Sequence, residues 1–422
     1  MSSRRERDPV SVRIDDKLGR LSDSSSNGCL FRVHNRLHKV NPYEPAIVAI
    51  GPYHRGNNEL QEMEKQKLRY LKQLLGRTSW NTVDKYVTEI LGMEAKAREF
   101  YHLETSGFNR DELVEMLVLD GCFVIELFRK YKINGLSRES DTIFQSEQLR
   151  FALRRDLILL ENQLPFFVLH RLFGKTRGPG EEDDLIPLAL AFLEQIMPNE
   201  KLTIMNNTRL DDLKHLLALV HASWGHQFIP APTVSDKNWD FVNSATELKE
   251  AGVEFKMVKK SNLFDIRFID GVLKIPRLCI GDYTEFPLRN LLAYEQYHLQ
   301  RHQRKYVSDY IAFMNCLVNS PRDVQLLRHS KIIDSWVADD AAVYALLKDV
   351  YRFVLIASSD FSYSQVCVKL NGHCQRRQNV WMANLRRNYF NSPWAFVSFV
   401  AACLLLLLTL IQTLFSVLSY TK

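Results

Sequence analysis

Two carboxylates interrupt otherwise apolar helical stripes, and among the side chains here they are the best placed to do chemistry. Asp120 falls among Leu113, Met116, Leu117, Phe123, Val124, Leu127 and Phe128, and Asp156 shares a stripe with Leu149, Leu153, Leu157, Leu160 and Leu164. A carboxylate on such a face is costly to bury without a partner. Used functionally, the two would be paired acids with raised pKa values, and Glu161 would join them in a hydrolase-like site. Used structurally, each would meet an arginine such as Arg129, Arg154 or Arg155, or cap a neighbouring segment. The structural use is the preferred reading. Glu161, Asn162 and Gln163 are expected to hydrogen-bond around the turn at Pro165.

A second constellation is Glu295, His298 and His302, which would share one helix face, with the two histidines a turn apart as in zinc-binding helices. The H-E-x-x-H order is absent, so spacing alone does not assign a metal. His221 and His226 are weaker candidates, and His34 and His38 lie among basic residues. The seven cysteines, Cys29, Cys122, Cys279, Cys316, Cys367, Cys374 and Cys403, form no C-x-x-C pair and read as free thiols in a reducing compartment. There is no G-x-S-x-G and no phosphate-binding glycine loop, and Cys122 reads as a packed thiol. No enzyme, cofactor or metal is therefore expected.

The elements that would position these groups are mostly helices. Leu60, Met63, Leu68, Leu71 and Leu75 predict a helix from Glu59 to Gly76, and further helices are expected at Asp111 to Tyr131, across FALRRDLILLENQL to Leu164, at Leu185 to Met197 and at Leu210 to Trp224. Thr246 to Ala251 forms a short helix stopped at Gly252. Val253, Phe255 and Met257 then alternate as a strand would, and FDIRFIDGVLKIP holds a hairpin signal at Asp270-Gly271. Helices resume at Phe286 to His302, Val307 to Val318, Asp323 to Trp336 and Asp339 to Ile356. The expected architecture is mainly α: a tail at 1–28, a large multi-helix domain at 29–388 with a small antiparallel hairpin or sheet near 253–276, and a C-terminal transmembrane helix within 389–422.

That last helix rests on WAFVSFVAACLLLLLTLIQTLFSVL, residues 394–418, which at 1.5 Å per residue spans roughly 37 Å against a hydrocarbon core of about 30 Å. The charge balance points to the same place. The chain carries 55 Lys and Arg against 49 Asp and Glu, a net +6, and Lys369, Arg376, Arg377, Arg386, Arg387 and Lys422 lie in a C-terminal stretch without any acid. The remainder is balanced, which removes the basis for a nucleic-acid-binding face. Arg376, Arg377, Arg386 and Arg387 flank the span on its N-terminal side, where they meet lipid headgroups or act as stop-transfer charges. By the positive-inside rule they place the large domain in the cytosol. The start of the chain has no apolar run that would serve as a secretory signal. One sequon, Asn206-Asn207-Thr208, would stay silent in that orientation.

Several segments in order carry a resemblance: VAIGPYHRG at 48–56, MEKQKLRYL at 63–71, EMLVLDGCFVIELF at 115–128, DLILLENQLPFFVL at 156–169, ATELKEAGVEF at 245–255, the hairpin near 265–276, and the LRRNYFNSPW stretch that opens the apolar helix. Together they resemble the plant proteins of the domain of unknown function 247 family. The resemblance implies a single-span membrane protein, expected at the plasma membrane, whose biochemical activity is undefined. Some grass members resemble pollen-side determinants of self-incompatibility that recognise small secreted stigma proteins, which would place the large domain outside the cell. The function expected is recognition of an unidentified protein partner from a membrane; the rival is a tethered hydrolase using Asp120, Asp156 or Glu161.

Overall fold

In a computed structural model the described residues are 13, 30, 43–101, 108–132, 141–177, 183–196, 202–203, 210–225, 228, 240–259, 262–281, 283–300, 303–337, 339–352, 354–355, 360–376 and 393–420. The predicted tail apart from residue 13, and His34, His38, His226, the sequon, His302, Arg377, Arg386 and Arg387, lie outside them.

The first half is built around one helix. Asn57 caps a short 3-10 turn that leads into α1 (Gln61–Arg77), followed by α2 (Val83–Leu91), α3 (Glu94–Phe100) and α4 (Arg110–Lys132). From Val118 to Lys130 every residue of α4 is buried, because α1, α2, α3 and two later helices pack around it and its charged residues Asp120, Glu126, Arg129 and Lys130 are each paired. Those later helices are α7 (Phe166–Lys175) and α8 (Leu185–Leu193), reached through the short α5 (Thr142–Gln145) and α6 (Glu147–Leu157). The apolar stripe suggested that α6 continues to Leu164. It stops at Leu157, and the buried Leu159, Leu160 and Leu164 sit in an irregular stretch before Pro165.

The second half begins with α9 (Leu216–Gly225) and α10 (Ala245–Glu250), the latter opened by a capping box in which Ser244 and Glu247 satisfy each other's backbone amides. Then come β1 (Glu254–Val258), β2 (Arg267–Ile269), β3 (Val272–Pro276) and β4 (Leu278–Ile280). β2 and β3 form the expected antiparallel hairpin, with Asp270 at φ 49° and Gly271 at φ 81° making the two-residue turn. The sheet is nonetheless mixed, since β1 joins β3 in parallel, Glu254 opposite Val272.

Four helices follow: α11 (Glu285–Tyr297), α12 (Tyr306–Leu317), α13 (Pro321–His329) and α14 (Asp340–Tyr351). Ser320 caps α13, accepting from the Asp323 amide, and Pro321 occupies its first turn. Its predicted end at Trp336 is wrong: Lys331 takes a left-handed φ of 60°, the Ile332 amide turns back to Leu327, and residues 333–335 form β5, parallel to β4. α15 (Ser364–Cys374) then packs on β2. One continuous buried cluster reaches from Leu30 to Leu370.

The chain ends in α16 (Pro393–Tyr420), whose residues Val397–Ser416 are long and apolar enough to cross a membrane and are unburied by the rest of the protein. Thr409 and Thr413 return their hydroxyls to the carbonyls four residues earlier, so they add little polarity to the helix surface.

Candidate functional site

Asp120 and Asp156 converge on an irregular segment, residues 46–51, that runs from the surface into the interior without a strand partner. Pro45 and Pro52 keep it out of a helix, and Val48, Ala49 and Ile50 are buried. Buried amides and carbonyls need partners, and side chains supply them. Asp156 accepts from the Ala46, Ile47 and Val48 amides at 2.9, 2.8 and 3.0 Å. Asn162 accepts from the Ile50 amide at 2.6 Å and donates to the Val48 carbonyl at 3.0 Å. Asp120 accepts from the Gly51 amide at 2.9 Å, and Lys67 donates to the Ala49 carbonyl at 2.6 Å. The backbone partners of this segment are thus supplied by side chains of α1, α4, α6 and the stretch after α6.

These bonds fix what the carboxylates do. Lys67, itself buried, pairs with Asp120 at 2.6 Å. Burial pushes the Asp120 pKa up and the ammonium pulls it back. Burial also raises Asp156, against three amides that favour its charged form. The expected arginines make their hydrogen bonds elsewhere: Arg129 serves Asp183 and Thr176, Arg154 reaches the Phe192 carbonyl and Glu147, and Arg155, whose charge also lowers the Asp156 pKa, reaches the Glu44 carbonyl. Capping of a neighbouring segment, the other structural possibility, is what Asp156 performs. Glu161 faces His54 at 3.7 Å. Gln163 donates to the Leu157 and Leu159 carbonyls and accepts from the Leu217 amide, so it ties the end of α6 to α9 rather than to the turn at Pro165.

Glu295 is also turned inward. It is fully buried, meets His221 at 2.8 Å, and accepts from the Val307 and Ser308 amides and the Ser308 hydroxyl. It therefore caps α12, and His221 stacks on Tyr306 beside it. His298, just past the end of α11, stacks on Tyr294. Among the described residues no three His, Cys, Asp or Glu side chains are placed to hold a metal ion. Nearby, Asp309 of α12 accepts from the amide and hydroxyl of Ser362 at 2.9 and 2.6 Å, fastening the start of α15, and burial pushes its carboxyl up to about 7.

Of the clefts that open on the described surface, three have clear walls. One of about 270 Å³ lies between α1, α2 and α4, one of about 280 Å³ between β2 and α15, and one of about 550 Å³ between α2, α3 and α7. Asp120, Asp156 and Glu161 line none of these three. Arg376 is exposed just beyond α15.

The profile of a plant family described as plant protein of unknown function, domain of unknown function 247, matches residues 30–408. The chain belongs to that family. It is 30% identical to the UPF0481 protein At3g47200 of Arabidopsis thaliana over 93% of this chain and 87% of that protein. With the UPF0481 protein At3g02645 of the same plant it shares 24% identity over 91% of this chain and 89% of the relative. No solved structure matches the chain. The matched span runs from the start of the described core into the apolar helix, so helical body and helix belong to one family unit.

Lys67 was missed in the sequence although a signal exists. It lies one turn after Met63 and one before Leu71, on the buried stripe of α1, where a lysine requires a buried partner. Tyr101, which donates to the Gln163 carbonyl at 2.9 Å, carries no such mark.

Proposed function

We propose that this family member is a membrane-tethered recognition protein whose helical body binds another protein. The observation that carries the reading is the engagement of Asp120, Asp156 and Asn162 by the backbone of residues 46–51. Groups held by three amides or by a buried ammonium are positioned to stabilise a fold, whereas a general acid or base needs an open path to substrate. The tethered-hydrolase alternative with Asp120, Asp156 and Glu161 lacks that path in the three clefts described. Clefts with apolar walls and charged rims are the surfaces left for recognition.

In this reading the helix at Val397–Ser416 sits in lipid, in the plasma membrane, and the arginine flank holds the body in the cytosol. A pollen-side role in self-incompatibility is the finer version, and it requires the opposite side. Protease protection in sealed vesicles decides between them: digestion of the body from the cytosolic face supports the cytosolic placement, and full protection overturns it. Proximity labelling at native abundance tests recognition itself, which fails if no reproducible neighbour is recovered.

A further inference from the structure

The cleft between α2, α3 and α7 sets basic side chains around an apolar floor. Met93, Phe166 and Phe167 form that floor. Lys96 holds its ammonium 4.4 Å from the centre of the Phe167 ring, so the charge stays in front of the aromatic face. The one carboxylate in the lining, Glu89, is engaged from α7 on both oxygens: Arg171 pairs with Oε1 and Lys175 comes within 3.7 Å of Oε2. Arg171 makes that pair through Nε and remains 55% exposed, leaving its terminal nitrogens for a ligand. His170 adds a further donor at the mouth. At about 550 Å³ the cleft falls within the range of roughly 300–1,000 Å³ typical of ligand pockets.

The competing clefts offer less basic charge, since only at Glu89 does a further cation, Lys175, add to the lining. The one on α1, α2 and α4 sets Arg110 beside Asp111 and Glu115, a rim with more acid than base that does not favour an acidic ligand. In the one between β2 and α15, Arg267 is already paired with Asp265 at 2.6 Å, which leaves a single basic side chain, Lys369, in excess.

We propose that the α2–α3–α7 cleft binds an acidic peptide segment of a partner protein. An aromatic or aliphatic side chain of that segment seats on Phe167, and its carboxylates meet Lys96 and Arg171. This rests on the recognition reading and names its surface.

The test uses the full chain in detergent micelles and a fluorescent poly(Glu,Tyr) copolymer, with binding read by anisotropy. Poly(Glu,Tyr) binds, while polyglutamate without tyrosine and poly(Lys,Tyr) bind at least about 10-fold more weakly. Lys96→Glu combined with Arg171→Gln weakens the poly(Glu,Tyr) complex about 10-fold or more and leaves the thermal midpoint in place, since both side chains are exposed. Failure of poly(Glu,Tyr) to bind, equal binding by polyglutamate, or an unchanged affinity in the double variant overturns the assignment. Proximity labelling with the same variant separates this failure from that of the recognition reading. Neighbours fully retained by the variant remove the cleft and leave recognition standing; a lack of any neighbour for the unaltered chain removes recognition itself.

Discussion

The Lys67 ammonium lies 2.6 Å from Asp120 Oδ1, and both residues also hold the same stretch of backbone, Lys67 at the Ala49 carbonyl and Asp120 at the Gly51 amide. Removing one partner of a buried pair leaves an uncompensated charge, at about 3–5 kcal/mol. Lys67→Met is expected to destabilise by that amount in urea unfolding of the full chain. Asp120→Asn keeps an acceptor for Gly51, and Glu64 at 2.5 Å still pairs with the ammonium, so this variant should lose less than Lys67→Met. The double variant is less destabilised than the two single effects added together, because neither charge then remains buried alone. Strict additivity would show that the pair is not coupled.

Two glycines separate backbone strain from steric collision. Gly51 has φ +79°, and a Cβ there would stand 2.6 Å from the Gln163 carbonyl oxygen. Gly56 has φ +87° with nothing within 4 Å. Gly56→Ala should cost only the left-handed penalty, about 1–2 kcal/mol. Gly51→Ala must also push apart segment 46–51 and the turn after α6, and should lower the unfolding midpoint clearly further. Equal midpoints for the two variants would mean that the approach at Gly51 is loose.

How far the sequence reveals these features depends on the distance over which the cause acts. α4 and the apolar helix are legible because their signals, periodicity and length, lie within the element. The hairpin is legible because Asp270-Gly271 encodes a turn by itself. The end of α13 is not, since Lys331 adopts a left-handed conformation without being glycine. Nor is the β4–β5 pairing, in which three-residue strands meet across more than 50 positions of chain, Leu278 opposite Ile333. The side-chain support of residues 46–51 is the hardest case. Asp156 and Asn162 could be marked as polar residues in an apolar context, but the amides they serve lie more than 100 residues earlier.

The apolar helix makes a separate prediction. Val397–Ser416 has a mean hydropathy of 2.4, and an arginine near the centre of a spanning helix costs about 2.5–3.5 kcal/mol on insertion scales. The unaltered chain should stay in the membrane pellet through alkaline carbonate extraction. Leu406→Arg with Leu407→Arg should release a substantial fraction to the supernatant. Complete extraction of the unaltered chain would rule out a spanning helix.

Asp309 makes the body sensitive to pH in a calculable direction. Its carboxyl is raised from 3.8 to about 7 by burial, with Glu295 and Asp360 adding to the shift and the two bonds from Ser362 opposing it. Below pH 3.8 both folded and unfolded chains hold the proton, and the contribution of this group to stability is fully present. Between 3.8 and 7 the unfolded chain ionises while the folded chain does not, so stability falls as pH rises and the contribution is lost on passing through 7. At 1.36 kcal/mol per unit the loss is on the order of 4 kcal/mol over the whole window. Asp309→Asn keeps an oxygen to accept from the Ser362 amide and hydroxyl but cannot ionise. Relative to that variant, the unaltered chain should lose urea resistance as pH rises from about 4 to about 7, with hydrogen exchange rising first in residues 362–374, where Asp309 fastens α15. Parallel stability curves for the two proteins would show that Asp309 ionises without consequence for the fold.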